Sequence, residues 1–146
     1  MSSRDPSNSK RGSILIVDDE SGIVDVLSAV LTDEGYRVEG AAHGQDALDK
    51  IAEGHPDLMV LDLEMPVLDG ADTLRALRAD EARSRLPVLM MSGLTESIVK
   101  RRCRGYQAFL RKPFTLDELL ATVARLIKPS GARPRTARGK APPRRT

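Results

Sequence analysis

The sequence predicts a doubly wound α/β fold with a five-stranded parallel sheet, and three observations carry that prediction. Five short strand-like segments alternate along the chain with five segments of helical character. Ser13–Val17 and Leu58–Leu61 are continuous rather than alternating apolar runs, which suits strands buried on both faces. The length, 146 residues, is that of one ordinary domain. Alternating strands and helices imply a parallel sheet covered on both sides, and right-handed crossovers complete the winding.

Each element has its own justification. Ser13–Val17 is the first apolar run. Ile23, Val26, Leu27, Val30 and Leu31 follow at helical spacing as one stripe, with Gly35 placed to end the helix. Tyr36–Ala41 reads as the second strand and Gln45–Glu53 as a short helix before Gly54. Leu58–Leu61 is the third strand and runs into Asp62. The stretch from Met65 to Gly70 is turn-rich, and Ala71–Asp80 carries Leu74 and Leu77 as a helix. Val88–Met91 is the fourth strand, Thr95–Arg104 the fourth helix and Ala108–Leu110 the fifth strand. Thr115 and Glu118 have the capping-box spacing. They open a last helix with Leu116, Leu119, Leu120, Val123 and Ile127 on one face.

Composition bounds the function. No apolar run approaches the length of a membrane span, and the polar N-terminus has no signal-peptide core. The expected location is therefore cytoplasmic, with no membrane partner. The single Cys103 cannot form an internal disulfide, which fits a reducing compartment. Charge is unevenly spread. Residues 13–128 carry 14 Lys and Arg against 20 Asp and Glu, a net −6, whereas residues 129–146 carry six basic groups and no acid. The composition predicts a disordered N-terminal segment over 1–12, an acidic globule over 13–128 and a disordered basic tail over 129–146.

The chemistry collects at one end of the sheet. Asp18 and Asp19 follow the first strand, Asp62 ends the third, Ser92 ends the fourth and Lys112 lies just past the fifth. In doubly wound folds the carboxyl ends of the strands form the ligand crevice. Adjacent carboxylates about 4 Å apart repel by roughly 4 kcal/mol at an intermediate dielectric, so a cation is expected among them. Hard oxygen donors suit Mg²⁺, which takes one or two carboxylates and keeps waters for phosphate oxygens. Asp18 and Asp19 could instead cap the first helix. Ser92 or Lys112 alone would carry little weight; their joint placement is what is specific.

Four motifs in order, DDE at Asp18, PDLMVLDLEMPVLDG around Asp62, LMMSG at Ser92 and FLRKPF around Lys112, resemble the receiver domain of two-component response regulators. The resemblance covers residues 13–128. It implies the flavodoxin-like strand order 2-1-3-4-5 and a phosphoacceptor signalling protein, not an enzyme, with slow autodephosphorylation. It implies that Asp62 takes a phosphoryl group from a histidine kinase or phosphotransfer protein. Mg²⁺ would be held by Asp19, Asp62 and the backbone carbonyl of Glu64, with Asp18 acting through water. Lys112 would contact the phosphoryl group, Ser92 and Phe109 would form the switch, and the Lys112–Pro113 bond would be cis. The output would be a stand-alone switch of the helix 4–strand 5–helix 5 face that controls a downstream protein target.

The chain also departs from the family pattern. Ser92 and Lys112 stand twenty residues apart, two fewer than the commoner interval, with the shortening in the fourth helix. Gln107 and Ala108 stand where acids often precede the switch aromatic, and Phe109 replaces the common Tyr. The side chain of Glu64 is expected near the phosphoryl group, where it would alter aspartyl-phosphate lifetime.

Other features have plainer readings. Lys100–Arg104 is a solvated helix face or a docking site for an acidic partner. Cys103 is a packing residue or, among arginines, a thiol of lowered pKa. His43 and His55 are surface or loop residues. The basic tail is a soluble appendage or an arm for nucleic acid or another polyanion. Two further classes are a small metal-dependent phosphohydrolase, weakly suggested by Asp62 with Glu64, and a nucleotide or flavin module. The latter would want a Gly-rich cradle after the first strand, where this chain has DDES.

Overall fold

The computed structural model describes residues 11–127. Residues 1–10 of the expected N-terminal segment, Lys128 and the basic tail over 129–146 lie outside the described residues. The elements run β1 (Ser13–Val17), α1 (Ser21–Asp33), β2 (Arg37–Ala41), α2 (Gly44–Gly54), β3 (Leu58–Asp62), α3 (Gly70–Ala79), β4 (Val88–Ser92), α4 (Glu96–Arg102), β5 (Ala108–Arg111) and α5 (Leu116–Leu126). A short 3₁₀ turn, Glu81–Arg83, follows α3. The five strands form one parallel sheet in the order β2-β1-β3-β4-β5, the flavodoxin-like arrangement.

The apolar runs fold as strands because both faces of the sheet are covered, and successive side chains go to opposite faces. Leu15, Val17, Met59, Leu61, Val88 and Met90 face one core, which α2, α3 and α4 close with Ala47, Ile51, Leu74, Leu77 and Val99. Ile14, Ile16, Leu58, Val60, Leu89 and Met91 face the other, closed by Leu27 and Leu31 of α1 and Leu119 and Val123 of α5. Every residue of β3 and β4 is buried, including the polar Asp62 and Ser92 at their ends.

The helix termini follow local chemistry. Gly35, with φ of 104°, takes the left-handed position just past α1. The Thr115 hydroxyl accepts from the Glu118 amide at 3.0 Å and the Glu118 carboxylate accepts from the Thr115 amide at 2.8 Å, completing the capping box. His43 caps α2, its Nδ1 accepting from the Asp46 amide at 3.2 Å, and His55 closes the same helix in a left-handed conformation.

Two expectations are corrected. Val26 is 54% exposed rather than part of the buried stripe. At about 100° per residue the centre of burial turns toward Val24, Leu27 and Leu31, leaving Val26 on the flank. The fourth helix is shorter than Thr95–Arg104: it ends at Arg102, and Cys103 is already extended.

Candidate functional site

Strand register builds the site. Val17 lies beside Leu61, Asp62 beside Met91 and Ser92 beside Arg111, so β1, β3, β4 and β5 end on one rim. The Asp18 amide continues the ladder to Ala41 O at 3.1 Å, and the Lys112 amide to Ser92 O at 2.8 Å. The side chains of Asp18, Asp19, Asp62, Ser92 and Lys112 therefore gather at the carboxyl end of the sheet. Gly70 lets α3 start directly against that rim: a Cβ there would stand 2.5 Å from Asp62 O and 2.7 Å from Leu63 Cα.

Oxygen atoms of Asp18, Asp19 and Asp62 lie within 4.8 Å of one another. Asp18 and Asp62 are buried and Asp19 is exposed. Neither aspartate caps α1. That position belongs to Glu20, whose amide donates to Asp18 Oδ1 at 2.9 Å. Lys112 Nζ donates to Asp62 Oδ1 at 3.0 Å and to Asp18 Oδ2 at 3.3 Å, so the internal counter-charge sits between the two buried carboxylates. It does not cancel the effect of burial on Asp62. Desolvation, with the charges of Asp18 and Glu64, outweighs Lys112 and raises the Asp62 carboxyl from 3.8 to about 6. For Lys112, burial pulls downward, but Asp62 and then Asp18 prevail and the ammonium is held above its ordinary value.

Ser92 is fully buried, and its hydroxyl is committed elsewhere. It donates to Glu64 Oε2 at 2.5 Å and accepts from the Leu94 amide at 3.0 Å. The bond to Glu64 was not legible in the sequence, which placed Glu64 near the site without saying what it touches. The Glu64 backbone carbonyl accepts no hydrogen bond among the described residues. Phe109 is half-buried, with its ring centroid 6.4 Å from that of Tyr106. The Tyr106 hydroxyl donates to Glu96 Oε2 at 3.2 Å, tying the approach to β5 to the start of α4. Sequence reasoning passed over Tyr106, although an aromatic three residues before Phe109 was the available signal. The Lys112–Pro113 bond is cis.

Residues 14–124 match the model of the response regulator receiver domain. This chain belongs to the response regulator receiver family. It is 40% identical over 119 residues to the response regulator MprA of Mycolicibacterium vanbaalenii, and equally to that of Mycobacterium avium. Each alignment covers 79% of this chain and 50% of the relative, so the chain spans about half the length of these curated relatives. Among solved structures it is similar to chemotaxis protein CheY4 of Vibrio cholerae, at 34% identity and a TM-score of 0.75, covering 79% of this chain and 98% of that one. It is also similar to response regulator TrrA of Thermotoga maritima in complex with Mg(2+)-BeF, at 30% identity and a TM-score of 0.71, again covering 79% and 98%.

Receiver domains are signalling phosphoacceptors with an acidic Mg²⁺ pocket, and the hard-oxygen donor set of Asp18, Asp19 and Asp62 fits that ion. Cys103 is buried, and burial pushes its thiol up despite Arg102, so the lowered pKa is overturned. Among the described residues no helix is long and apolar enough to cross a membrane.

Proposed function

We propose that this receiver domain accepts a phosphoryl group on Asp62 from the phosphohistidine of a histidine kinase or phosphotransfer protein. The observation that carries the reading is the buried Asp62 carboxylate, bonded to Lys112 Nζ at 3.0 Å and grouped with Asp18 and Asp19. With a pKa of about 6, Asp62 is mostly ionised at neutral pH and available as a nucleophile. Its oxygen attacks phosphorus, the P–N bond breaks, and the departing imidazole nitrogen keeps the electron pair and takes a proton from solvent. Lys112 stabilises charge on the phosphoryl oxygens. Asp18, Asp19, Asp62 and the backbone carbonyl of Glu64 would hold Mg²⁺, which would supply further neutralisation of that charge when bound. The partner proteins meet the domain in the cytoplasm.

The switch then works by exchange of partners. The phosphoryl group brings acceptor oxygens that compete for the Ser92 hydroxyl with Glu64. As Ser92 turns, Phe109 moves into the space behind it. The α4–β5–α5 face changes shape and engages a downstream protein. A groove of 510 Å³ along this face is lined by Phe109, Arg111, Pro113 and Glu118 and supports the reading. The acidic side chain of Glu64 sets the lifetime of the aspartyl phosphate. The polyanion arm expected over 129–146 lies outside the described residues.

The test is incubation with acetyl phosphate, with and without Mg²⁺, followed by intact mass of wild type and Asp62→Asn. A Mg²⁺-dependent gain of one phosphoryl group, absent in the variant, is expected. A gain that persists in Asp62→Asn refutes the acceptor assignment.

A further inference from the structure

A cavity of 690 Å³ opens between α3 and the end of α4, and none of Asp18, Asp19, Asp62, Ser92 or Lys112 lines it. Six cations line it: Arg75, Arg78, Lys100, Arg101, Arg102 and Arg104, over a floor that includes Ala71 and Cys103. No acid lines it. This is unexpected in a segment that carries a net −6 over residues 13–128.

The six differ in what already holds them. Arg78 is structural: its guanidinium donates to Gly105 O, to Ser84 O and to Gln107 Oε1. Arg75 pairs with Asp72 at 2.8 Å and Arg102 with Asp69 at 3.4 Å. Lys100, Arg101 and Arg104 are exposed and have no ion-pair or hydrogen-bond partner among the described residues. Cations in the last turn of a helix offset its dipole, but that accounts for about half a charge. It does not explain a convergence from two helices and from Arg104 beyond the end of α4. Five of the six are arginines, whose planar forks match phosphate oxygens two at a time. The volume is that of a small-ligand site. The lining has no aromatic side chain for base stacking, so the phosphate chain itself is the recognised element.

We propose that the α3–α4 cavity binds an oligophosphate chain, two or more linked phosphates, through Lys100, Arg101, Arg102 and Arg104. The chain belongs either to a nucleoside triphosphate or to an inorganic polyphosphate. The site is separate from the phosphoacceptor and does not rest on that assignment.

The test is calorimetric titration of the full chain at physiological ionic strength with tripolyphosphate, ATP, orthophosphate and an oligoglutamate peptide. Two double variants are titrated alongside: Arg101→Gln with Arg104→Gln in the cavity, and Arg144→Gln with Arg145→Gln in the tail. Circular dichroism checks that both remain folded. Saturable binding of tripolyphosphate is expected, weakened about tenfold or more in the cavity variant and by less than about twofold in the tail variant. Asp62→Asn should bind as wild type does. Comparable affinity for ATP assigns the site to the bare chain, and tighter ATP binding assigns it to a nucleotide. No saturable binding, an unaffected cavity variant, loss in the tail variant, orthophosphate as tight as tripolyphosphate, or a preference for oligoglutamate would each overturn the proposal.

Discussion

Replacing Asp62 by Asn should stabilise the metal-free protein at neutral pH, by an amount that depends on pH in a defined direction. Burial raises the Asp62 carboxyl from 3.8 to about 6 in the folded protein. A carboxyl whose folded pKa lies above its unfolded value gives its full contribution to stability below the unfolded pKa. That contribution is lost as pH rises through the folded pKa. At about 1.4 kcal/mol per tenfold change in proton affinity, the full loss is about 3 kcal/mol, most of it between about pH 4 and pH 7.5. Asn has no proton to lose, and Asp18, 3.3 Å from Lys112 Nζ in the wild type, still offers that ammonium a partner. Urea unfolding of both proteins in EDTA across that range reads the difference directly, because most other ionisable groups cancel. The stability of Asp62→Asn relative to wild type should climb with pH, with its steepest rise at about pH 5, between the unfolded pKa of 3.8 and the folded pKa of about 6, and level off above the latter. A constant difference, or one that falls with pH, would refute the claim that desolvation dominates Lys112 at this carboxylate. Added Mg²⁺ should then stabilise wild type more than the variant, since an ion that binds only the folded, ionised cluster shifts unfolding by mass action.

Four further outcomes are expected. Glu64→Asn removes the charged acceptor that holds Ser92, so the aspartyl phosphate should decay severalfold more slowly; equal decay rates by mass spectrometry would sink the lifetime role of Glu64. Gly70→Ala sets a methyl against the backbone of Asp62 and Leu63 and should lower stability by about 1–3 kcal/mol in urea, with no gain at any pH. Val67 is fully exposed with φ of 67°, so Val67→Asn should stabilise by about 1 kcal/mol; an unchanged thermal midpoint would count against strain in that turn. Cys103 should react with a maleimide far more slowly than a free thiol at neutral pH, and become fast only on unfolding, because burial keeps it protonated.

The fold was legible because its signals were redundant. Continuous apolar runs marked strands buried on both faces, and Asp18, Asp62, Ser92 and Lys112 each stood at a strand end, so register alone brought them together. Thr115 with Glu118 was legible as a cap because the motif is local. What escaped the sequence depends on side-chain direction or tertiary contact. The stripe of α1 was mis-centred at Val26 because the helix is amphipathic over a wide arc and only its neighbours decide the buried edge. Glu64 was placed near the site, but no local rule gives it the Ser92 hydroxyl as partner. His43 is a helix cap because its Nδ1 reaches the Asp46 amide, an uncommon use of histidine. The reactive reading of Cys103 rested on neighbouring arginines in sequence, yet the residue is buried in the core, and desolvation there outweighs the nearby charge of Arg102.

The groups that the proposed switch needs are already engaged before any phosphoryl group arrives. Lys112 bridges two carboxylates, Ser92 is bonded to a third, and Phe109 is half-buried against Tyr106. Phosphorylation therefore does not create these interactions; it offers different partners to the same donors. For Ser92 the exchange is one anionic acceptor for another, so the net gain is a small difference between two strong bonds. A small difference is what a reversible two-state element requires, because a ligand moves an equilibrium only by its differential interaction with the two states. In the proposed switch, Glu64 would be the residue that sets the balance point. A neutral side chain there leaves Ser92 without a competing anion and biases the face toward its active arrangement. An acid there would hold the domain in the resting arrangement until the phosphoryl oxygens displace it from Ser92.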